Sequence, residues 1–187
     1  MTKETYSLPS FIDDLRAIAA QWDDDREIIP RARPLVQRLT KDGDWLEPRH
    51  YICDEEQGFG VHLLHEEADH SLAMFAVAWL PGRGVGPHNH GTWAVVAGVD
   101  GDERNVNWSR LDDGARPGHA EIVAAHEVVV GRSDVITFLP DDIHSVHNDG
   151  DRVTVSLHVY GRHPNHTLRQ QFDPEAKTAT DFKFKTA

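Results

Sequence analysis

The sequence predicts an all-β jelly roll or sandwich preceded by two packing helices. Helical spacing of apolar residues is confined to the N-terminal part of the chain. Short runs with alternating apolar positions, separated by Gly, Asp and Pro, fill most of the remainder. At 187 residues, such a chain is most simply one domain. We expect residues 1–48 to form a mainly helical cover, 49–160 the jelly-roll barrel, and 161–187 a polar C-terminal tail or lid.

The two helices are predicted from caps and apolar spacing. Ser10 has a side chain suited to a helix N-cap, and apolar residues then repeat at helical intervals as far as Trp22. We expect Trp22 to fill the core. Pro34 suits the first turn of a second, shorter helix that ends near Asp42-Gly43. Both helices are expected to pack against the sheets.

The strands are predicted from alternation and from the turns between them. The dipeptides Asp100-Gly101, Asp113-Gly114 and Asp149-Gly150 suit tight turns. The glycine cluster of residues 82–86 is also interpreted as a turn, because a phosphate-binding loop would need a helix after it. The candidate strands are residues 50–53, 60–65, 71–80, 93–99, 104–110, 121–130, 135–139 and 152–160.

Composition narrows the classes of partner. The formal charge of -12 would repel nucleic acid and anionic membranes, and no basic stripe offsets it. The chain has no run of 18 apolar residues and no signal-peptide pattern at its N-terminus, so we expect a cytoplasmic protein. Cys53 is the single cysteine, which excludes an internal disulfide and a cysteine-based zinc cluster.

A His-x-His pair follows the glycine cluster. His88 and His90 are two residues apart, and on a strand such residues point to the same face. Both could then bind one metal ion if a third ligand came from elsewhere in the fold. Imidazole suits Zn, Cu, Fe and Ni, so the pair does not identify the metal. The alternative is a pair of surface histidines in a loop.

A third candidate ligand is His144. The spacing Gly82-x5-His88-x-His90, followed by Pro140-x3-His144-x3-Asn148, resembles the two paired motifs of the cupin superfamily. This resemblance implies a double-stranded β-helix, or jelly roll, with a metal held by His88, His90 and His144. The glutamate usual in cupins, four or five residues after the second histidine, is replaced by Ala94 and Val95. His147 would face away from the site on the same strand.

Three neutral histidines leave the charge of a divalent ion uncompensated. The common ferrous oxygenase site contains two histidines and one carboxylate. With a third histidine instead, an anionic ligand is needed, and a substrate thiolate would supply it because metal coordination deprotonates a thiol. Zinc is the main alternative, since three histidines and a water also form a hydrolytic site.

The segment of residues 153–160 alternates aliphatic residues with Ser156, His158 and Tyr160 on the opposite face. Alternation alone is equally typical of a half-buried strand with a polar solvent face. Following His144 by about a dozen residues, however, this pattern resembles the thiol dioxygenases, the family of cysteine dioxygenase and 3-mercaptopropionate dioxygenase. The resemblance implies that the three side chains form a hydrogen-bonded relay ending beside an Fe(II) ion.

Two departures within that family concern the substrate. Residues 60–65 lack the carboxylate-binding arginine of the cysteine-specific branch, and Val95 stands where animal members carry a cross-linked cysteine. In the mercaptopropionate branch the arginine follows the tyrosine. Arg169 is therefore the candidate carboxylate ligand, with Arg162 as the second choice, and either could be a solvated surface residue.

The predicted function is a cupin-fold, non-haem Fe(II) thiol dioxygenase. Its partners would be O2 and a small carboxylated thiol, 3-mercaptopropionate-like or cysteine, which it would oxidise to the sulfinate. Two alternatives stay open at this point, because a fold does not fix a function. One is a metal-dependent isomerase or hydrolase on the same barrel. The other is a ligand-sensing cupin without catalysis.

Overall fold

Two antiparallel β-sheets face each other in the computed structural model, which describes residues 6–42 and 45–187. The strands are β1 (Phe59–Glu66), β2 (Ser71–Trp79), β3 (Gly84–His88), β4 (Ala94–Asp100), β5 (Glu103–Arg110), β6 (Ile122–Val130), β7 (Val135–Phe138), β8 (Ile143–His147), β9 (Thr154–Arg162), β10 (Gln170–Asp173) and β11 (Thr178–Asp181). One sheet has the order β1-β2-β9-β4-β7 and the other β11-β10-β3-β8-β5-β6. The predicted jelly roll with N-terminal packing helices is confirmed.

The five-stranded sheet is buried on both faces because it is covered by helices on one side and by the other sheet on the opposite side. Along β9, the aliphatic Val155, Leu157 and Val159 join the core beneath the helices. The alternate residues, ending in Tyr160, face the second sheet. The core between the sheets is formed by Phe59, Val61, Ala73, Phe75, Val77, Trp79, Ala94, Val96, Phe138, Val146 and Tyr160.

Helix α1 (Leu8–Gln21) begins earlier than the sequence predicted. Its N-cap is Ser7, whose Oγ accepts a hydrogen bond from the Ser10 amide at 3.3 Å. The prediction of Ser10 as the cap is therefore wrong. Pro9 lies in the first turn, where a helix needs no amide donor from it. Trp22 follows the last helical residue and packs against the helical core, as expected.

Helix α2 (Asp25–Asp42) contains Pro30 and Pro34 in its interior, so the prediction that Pro34 opens it is wrong. An interior proline costs a helix about 3 kcal/mol. Burying an Ile, Val or Leu side chain contributes about 1.5–3 kcal/mol, and α2 packs a face of such residues on β4 and β7. Its buried face consists of Ile28, Ala32, Val36 and Leu39. Gly43, at the predicted helix end, lies outside the described residues.

Two further predictions are corrected by the structure. Residues 50–53 do not form a strand, because a 3₁₀ turn occupies Pro48–Tyr51. The glycine cluster of residues 82–86 is not a turn throughout, because β3 begins at Gly84 and pairs with β8. Within the tail, β10 pairs with β3 and places Gln171 opposite His88. In the described parts of the chain, no helix is both long enough and apolar enough to cross a membrane.

Candidate metal centre

The structure brings His88, His90 and His144 together between the sheets. His88 and His144 lie opposite each other in the β3–β8 pair, whereas His90 lies beyond the end of β3 rather than on a strand with His88. The chain turns there because Gly91 adopts φ +64° and its amide donates to the Pro140 carbonyl. The three imidazoles, each at most 4% exposed, present nitrogens that all lie within 4.8 Å of one another.

Two of the imidazoles have their tautomers fixed by acceptors. His88 Nδ1 lies 2.9 Å from the Gly86 carbonyl, and His144 Nδ1 lies 3.1 Å from Asn105 Oδ1. Asn105 is itself oriented because its Nδ2 donates to the Glu103 carbonyl. Since these oxygens only accept, both Nδ1 atoms carry the proton and both Nε2 atoms present lone pairs. Sequence reasoning missed Asn105, which has no motif of its own.

The site fits a divalent metal ion. Burial lowers the pKa of His88 to about 3 and holds those of His90 and His144 well below the usual range, so all three are neutral. His90 Nε2 and His144 Nε2 are 3.3 Å apart, and two nitrogens about 2.1 Å from one ion are separated by roughly 3–3.4 Å. His90 Nδ1 is buried without a partner among the described residues.

A buried hydrogen-bonded row lies on β9 beside this site. Ser156 Oγ is 2.9 Å from His158 Nε2, and His158 Nδ1 is 2.8 Å from Tyr160 Oη. These side chains are only 0%, 6% and 5% exposed, so the alternative of a polar solvent face is wrong. The Tyr160 ring centroid is 5.3 Å from that of His90. Burial raises the pKa of Tyr160 to about 12, so its hydroxyl stays protonated.

The two candidate arginines have different environments. Arg162 is exposed, and its guanidinium donates to the Asp69 carbonyl. Arg169 is 3% exposed, and its Nε donates to the Asn89 carbonyl at 3.3 Å. No carboxylate among the described residues pairs with it. Its guanidinium carbon lies 4.2 Å from the centroid of the Phe182 ring. Burial lowers the pKa of Arg169 to about 10, which leaves it charged at neutral pH.

One largely apolar cavity is lined by His88 and His144 of the trio together with Tyr160 and Arg169. The empty space within it, together with open solvent at its mouth, is about 410 Å³. Phe182 and Phe184 reach it from the tail, and sequence reasoning did not single them out because nothing local shows where the tail packs. The apolar lining residues are Phe59, Val61, Phe75, Val77, Trp79, Val85, Val146, Phe182 and Phe184.

His147 and a second histidine cluster do not line this cavity. His147 points outward from β8, and its Nδ1 lies 2.7 Å from Asp149 Oδ1. A second cluster that could hold a metal contains Glu66, His70 and His166. There, however, the two imidazole rings stack at 3.6 Å with an interplanar angle of 11°. Lone pairs in parallel ring planes do not converge on one ion, so the buried trio is the better-formed site.

No protein-family model matches the sequence. Among solved structures, the chain is similar to an oxalate oxidase in complex with glycolate (TM-score 0.45, 18% identity, covering 57% of this chain and 52% of that one). It is also similar to the cupin domain of a transcriptional regulator from Enterobacter cloacae (TM-score 0.40, 16% identity, covering 57% of this chain and 99% of that one). A third similar structure is that of an uncharacterized Klebsiella pneumoniae protein with a double-stranded β-helix domain (TM-score 0.47, 11% identity, covering 70% of this chain and 98% of that one). The match spans about half the length of the oxalate oxidase chain.

Proposed function

We propose that this protein is a non-haem Fe(II) thiol dioxygenase that oxidises a small carboxylated thiol, such as 3-mercaptopropionate or cysteine, to its sulfinate with both atoms of O2. The observation that carries the proposal is a buried arginine without a carboxylate partner, in the cavity that His88 and His144 of the buried histidine trio also line. Both features call for a negatively charged ligand.

Charge balance favours a substrate with two anionic groups. With neutral ligands from His88, His90 and His144, a divalent ion keeps both of its positive charges, and Arg169 adds another inside the same buried space. Uncompensated charge in a protein interior is costly. A thiolate on the ion and a carboxylate on Arg169 would supply one negative charge at each position, and metal coordination provides the thiolate.

Each polar group of the cavity then has a role. The three histidines are the proposed iron ligands, and the ferrous ion, when bound, supplies the redox chemistry that couples O2 to the sulfur. Arg169 clamps the carboxylate and thereby orients the thiol. Tyr160, held by His158 at 2.8 Å, donates a hydrogen bond to the substrate or to O2. The aromatic and aliphatic walls keep water away from these groups.

Oxygen uptake with a panel of thiols tests the proposal. The full chain, supplied anaerobically with Fe²⁺, should consume O2 with 3-mercaptopropionate or cysteine, and isotopically labelled O2 should place both labelled atoms in the sulfinate. Absence of uptake with every carboxylated thiol would contradict the proposal and favour a ligand-sensing protein. Zinc or nickel as the metal in purified protein would favour a hydrolase or isomerase instead.

Arg169→Ala should weaken binding of carboxylated thiols without loss of iron. We expect the half-saturating concentration of 3-mercaptopropionate to rise at least about tenfold, which corresponds to roughly 1.4 kcal/mol. The physical reason is the loss of charge-assisted hydrogen bonds from the guanidinium fork, which lysine cannot reproduce. Oxygen-uptake kinetics over a range of thiol concentrations measure the effect.

Cysteamine, a thiol without a carboxylate, separates a lost clamp from a loosened tail. Its half-saturating concentration should be nearly unchanged in Arg169→Ala. The matched control is Arg162→Ala, since Arg162 is exposed and should leave both thiols unaffected. An equal loss for both thiols in Arg169→Ala, or a loss for neither, would show that Arg169 is not the clamp.

A further inference from the structure

A buried acid extends the hydrogen-bonded row on β9. Glu103, the first residue of β5, is 2% exposed, and its Oε1 accepts a hydrogen bond from Thr154 Oγ1 at 3.2 Å. The Ser156 side chain also hydrogen-bonds with the Glu103 carboxyl. A continuous chain of side chains therefore runs from Glu103 through Ser156 and His158 to Tyr160 at the cavity.

The hydroxyl of Ser156 has one hydrogen and two lone pairs to share. Trp79 Nε1 donates to Ser156 Oγ at 3.3 Å, which occupies one lone pair. The remaining lone pair and the hydrogen are left for Glu103 and His158. His158 is neutral, because burial lowers its pKa to about 3, so only one of its nitrogens carries a proton. If Glu103 donates a hydrogen bond to Ser156, the Ser156 hydroxyl must donate its own hydrogen to His158. If Glu103 instead accepts a hydrogen bond from Ser156, the Ser156 oxygen must accept one from His158.

These alternatives give Tyr160 opposite properties. With a protonated Glu103 as donor, His158 carries its proton on Nδ1 and donates to Tyr160 Oη, whose own hydrogen is free to point into the cavity. With an ionised Glu103 as acceptor, His158 carries its proton on Nε2. Tyr160 then donates to His158 Nδ1 and offers the cavity only a lone pair. Every hydrogen bond in the chain is made in both arrangements.

We propose that Glu103 sets the direction of this hydrogen-bond chain and so decides whether Tyr160 presents a hydrogen or a lone pair to the cavity. Glu103 is thus a positioning residue that acts through Ser156 and His158. One part of this inference rests on the proposed function, namely that the arrangement in which Tyr160 offers a hydrogen to the cavity is the one active in catalysis.

The change of direction is expected near neutral pH. Burial raises the pKa of Glu103 to about 8, against a smaller lowering by its hydrogen-bond partners on β9, Ser156 and Thr154. From the paired strand β6, the uncharged Val130 lies opposite, and no charged side chain in the described ranges contributes to this pKa. Because the folded pKa is raised, Glu103 is protonated below about pH 8 and ionised above it. Turnover should therefore fall as pH rises through this value.

The tautomer of His158 reports the direction without any need for turnover. In the full chain loaded with Zn²⁺ and labelled with ¹⁵N-histidine, the two ring nitrogens should exchange protonation states between about pH 6.5 and 9.5. Signals of His158 are assigned by their loss in His158→Asn. Glu103→Gln has an amide that donates to Ser156 at every pH, so its His158 should keep the proton on Nδ1 throughout.

Two variants serve as comparisons. Glu127→Gln, on the exposed strand β6, should show the wild-type tautomer change. Ser156→Ala keeps Glu103 but interrupts the chain, so it should abolish the pH dependence even if Glu103→Gln does not fold. A tautomer that is constant with pH in the wild type, or one that changes in Ser156→Ala as in the wild type, would overturn the inference.

Oxygen uptake distinguishes this inference from the proposed function. With Fe²⁺ and 3-mercaptopropionate, Glu103→Gln should retain its turnover above pH 8, where the wild type declines. A tautomer change without any thiol-dependent uptake would contradict the dioxygenase and leave the role of Glu103 intact. Uptake without a tautomer change would contradict the role of Glu103 alone.

Discussion

Replacing His144 by alanine should remove the bound metal and all thiol-dependent O2 uptake. His144 Nε2 lies 3.3 Å from His90 Nε2, and its Nδ1 is tied to Asn105, so the imidazole is held with its lone pair directed at its neighbours. Loss of a residue that only orients a ligand typically costs about 10–100-fold in metal affinity. Loss of the ligand itself should cost more than about 100-fold. Metal analysis of the purified variant and its binding of added Fe²⁺ measure this.

The control for His144→Ala is His147→Ala on the same strand. The His147 side chain is 40% exposed and pairs with Asp149 at the surface, so its loss should leave metal content and turnover unchanged. Thermal unfolding of both variants checks that the barrel is intact. Full metal content in His144→Ala would remove His144 from the ligand set. His88→Ala and His90→Ala should behave as His144→Ala does.

Replacing Tyr160 by phenylalanine should slow turnover by about ten- to ten-thousandfold while leaving iron content intact, the range typical of a positioned proton donor. The substitution removes only the hydroxyl that lies 2.8 Å from His158 Nδ1. The ring, which packs edge-on against Phe75 at 6.0 Å between centroids, is retained. Steady-state O2 uptake at saturating thiol, normalised to bound iron, measures the effect.

Tyr51→Phe is the corresponding control. Tyr51 also loses a hydroxyl hydrogen bond, to Asp100 Oδ2 at 2.9 Å, but it does not line the cavity. We expect its turnover to match that of the wild type. If Tyr160→Phe also turned over at the wild-type rate, the hydroxyl would have no part in the reaction, and the chain from Glu103 would have no catalytic consequence.

Patterns that depend on neighbouring residues were sufficient to predict the jelly roll, its N-terminal helices and most of the strands. Alternation indicates which side of a strand is apolar, and caps and prolines indicate helix ends. Tertiary packing can override both signals. Burial of the α2 face overrides two interior prolines. Pro9 fits in the first turn, so that Ser7 rather than Ser10 caps α1. The roles assigned to the site residues remain predictions.

The sequence by itself determined the spacing of His88, His90 and His144 and the alternation that places Ser156, His158 and Tyr160 on one face. Only the tertiary structure decided what that face meets, because a polar strand face towards solvent and one towards a second sheet have the same period. It likewise distinguished the buried Arg169 from the exposed Arg162 by pairing β10 with β3. Glu103 and Asn105 joined the site through strand pairings between residues distant in sequence, which local patterns do not encode.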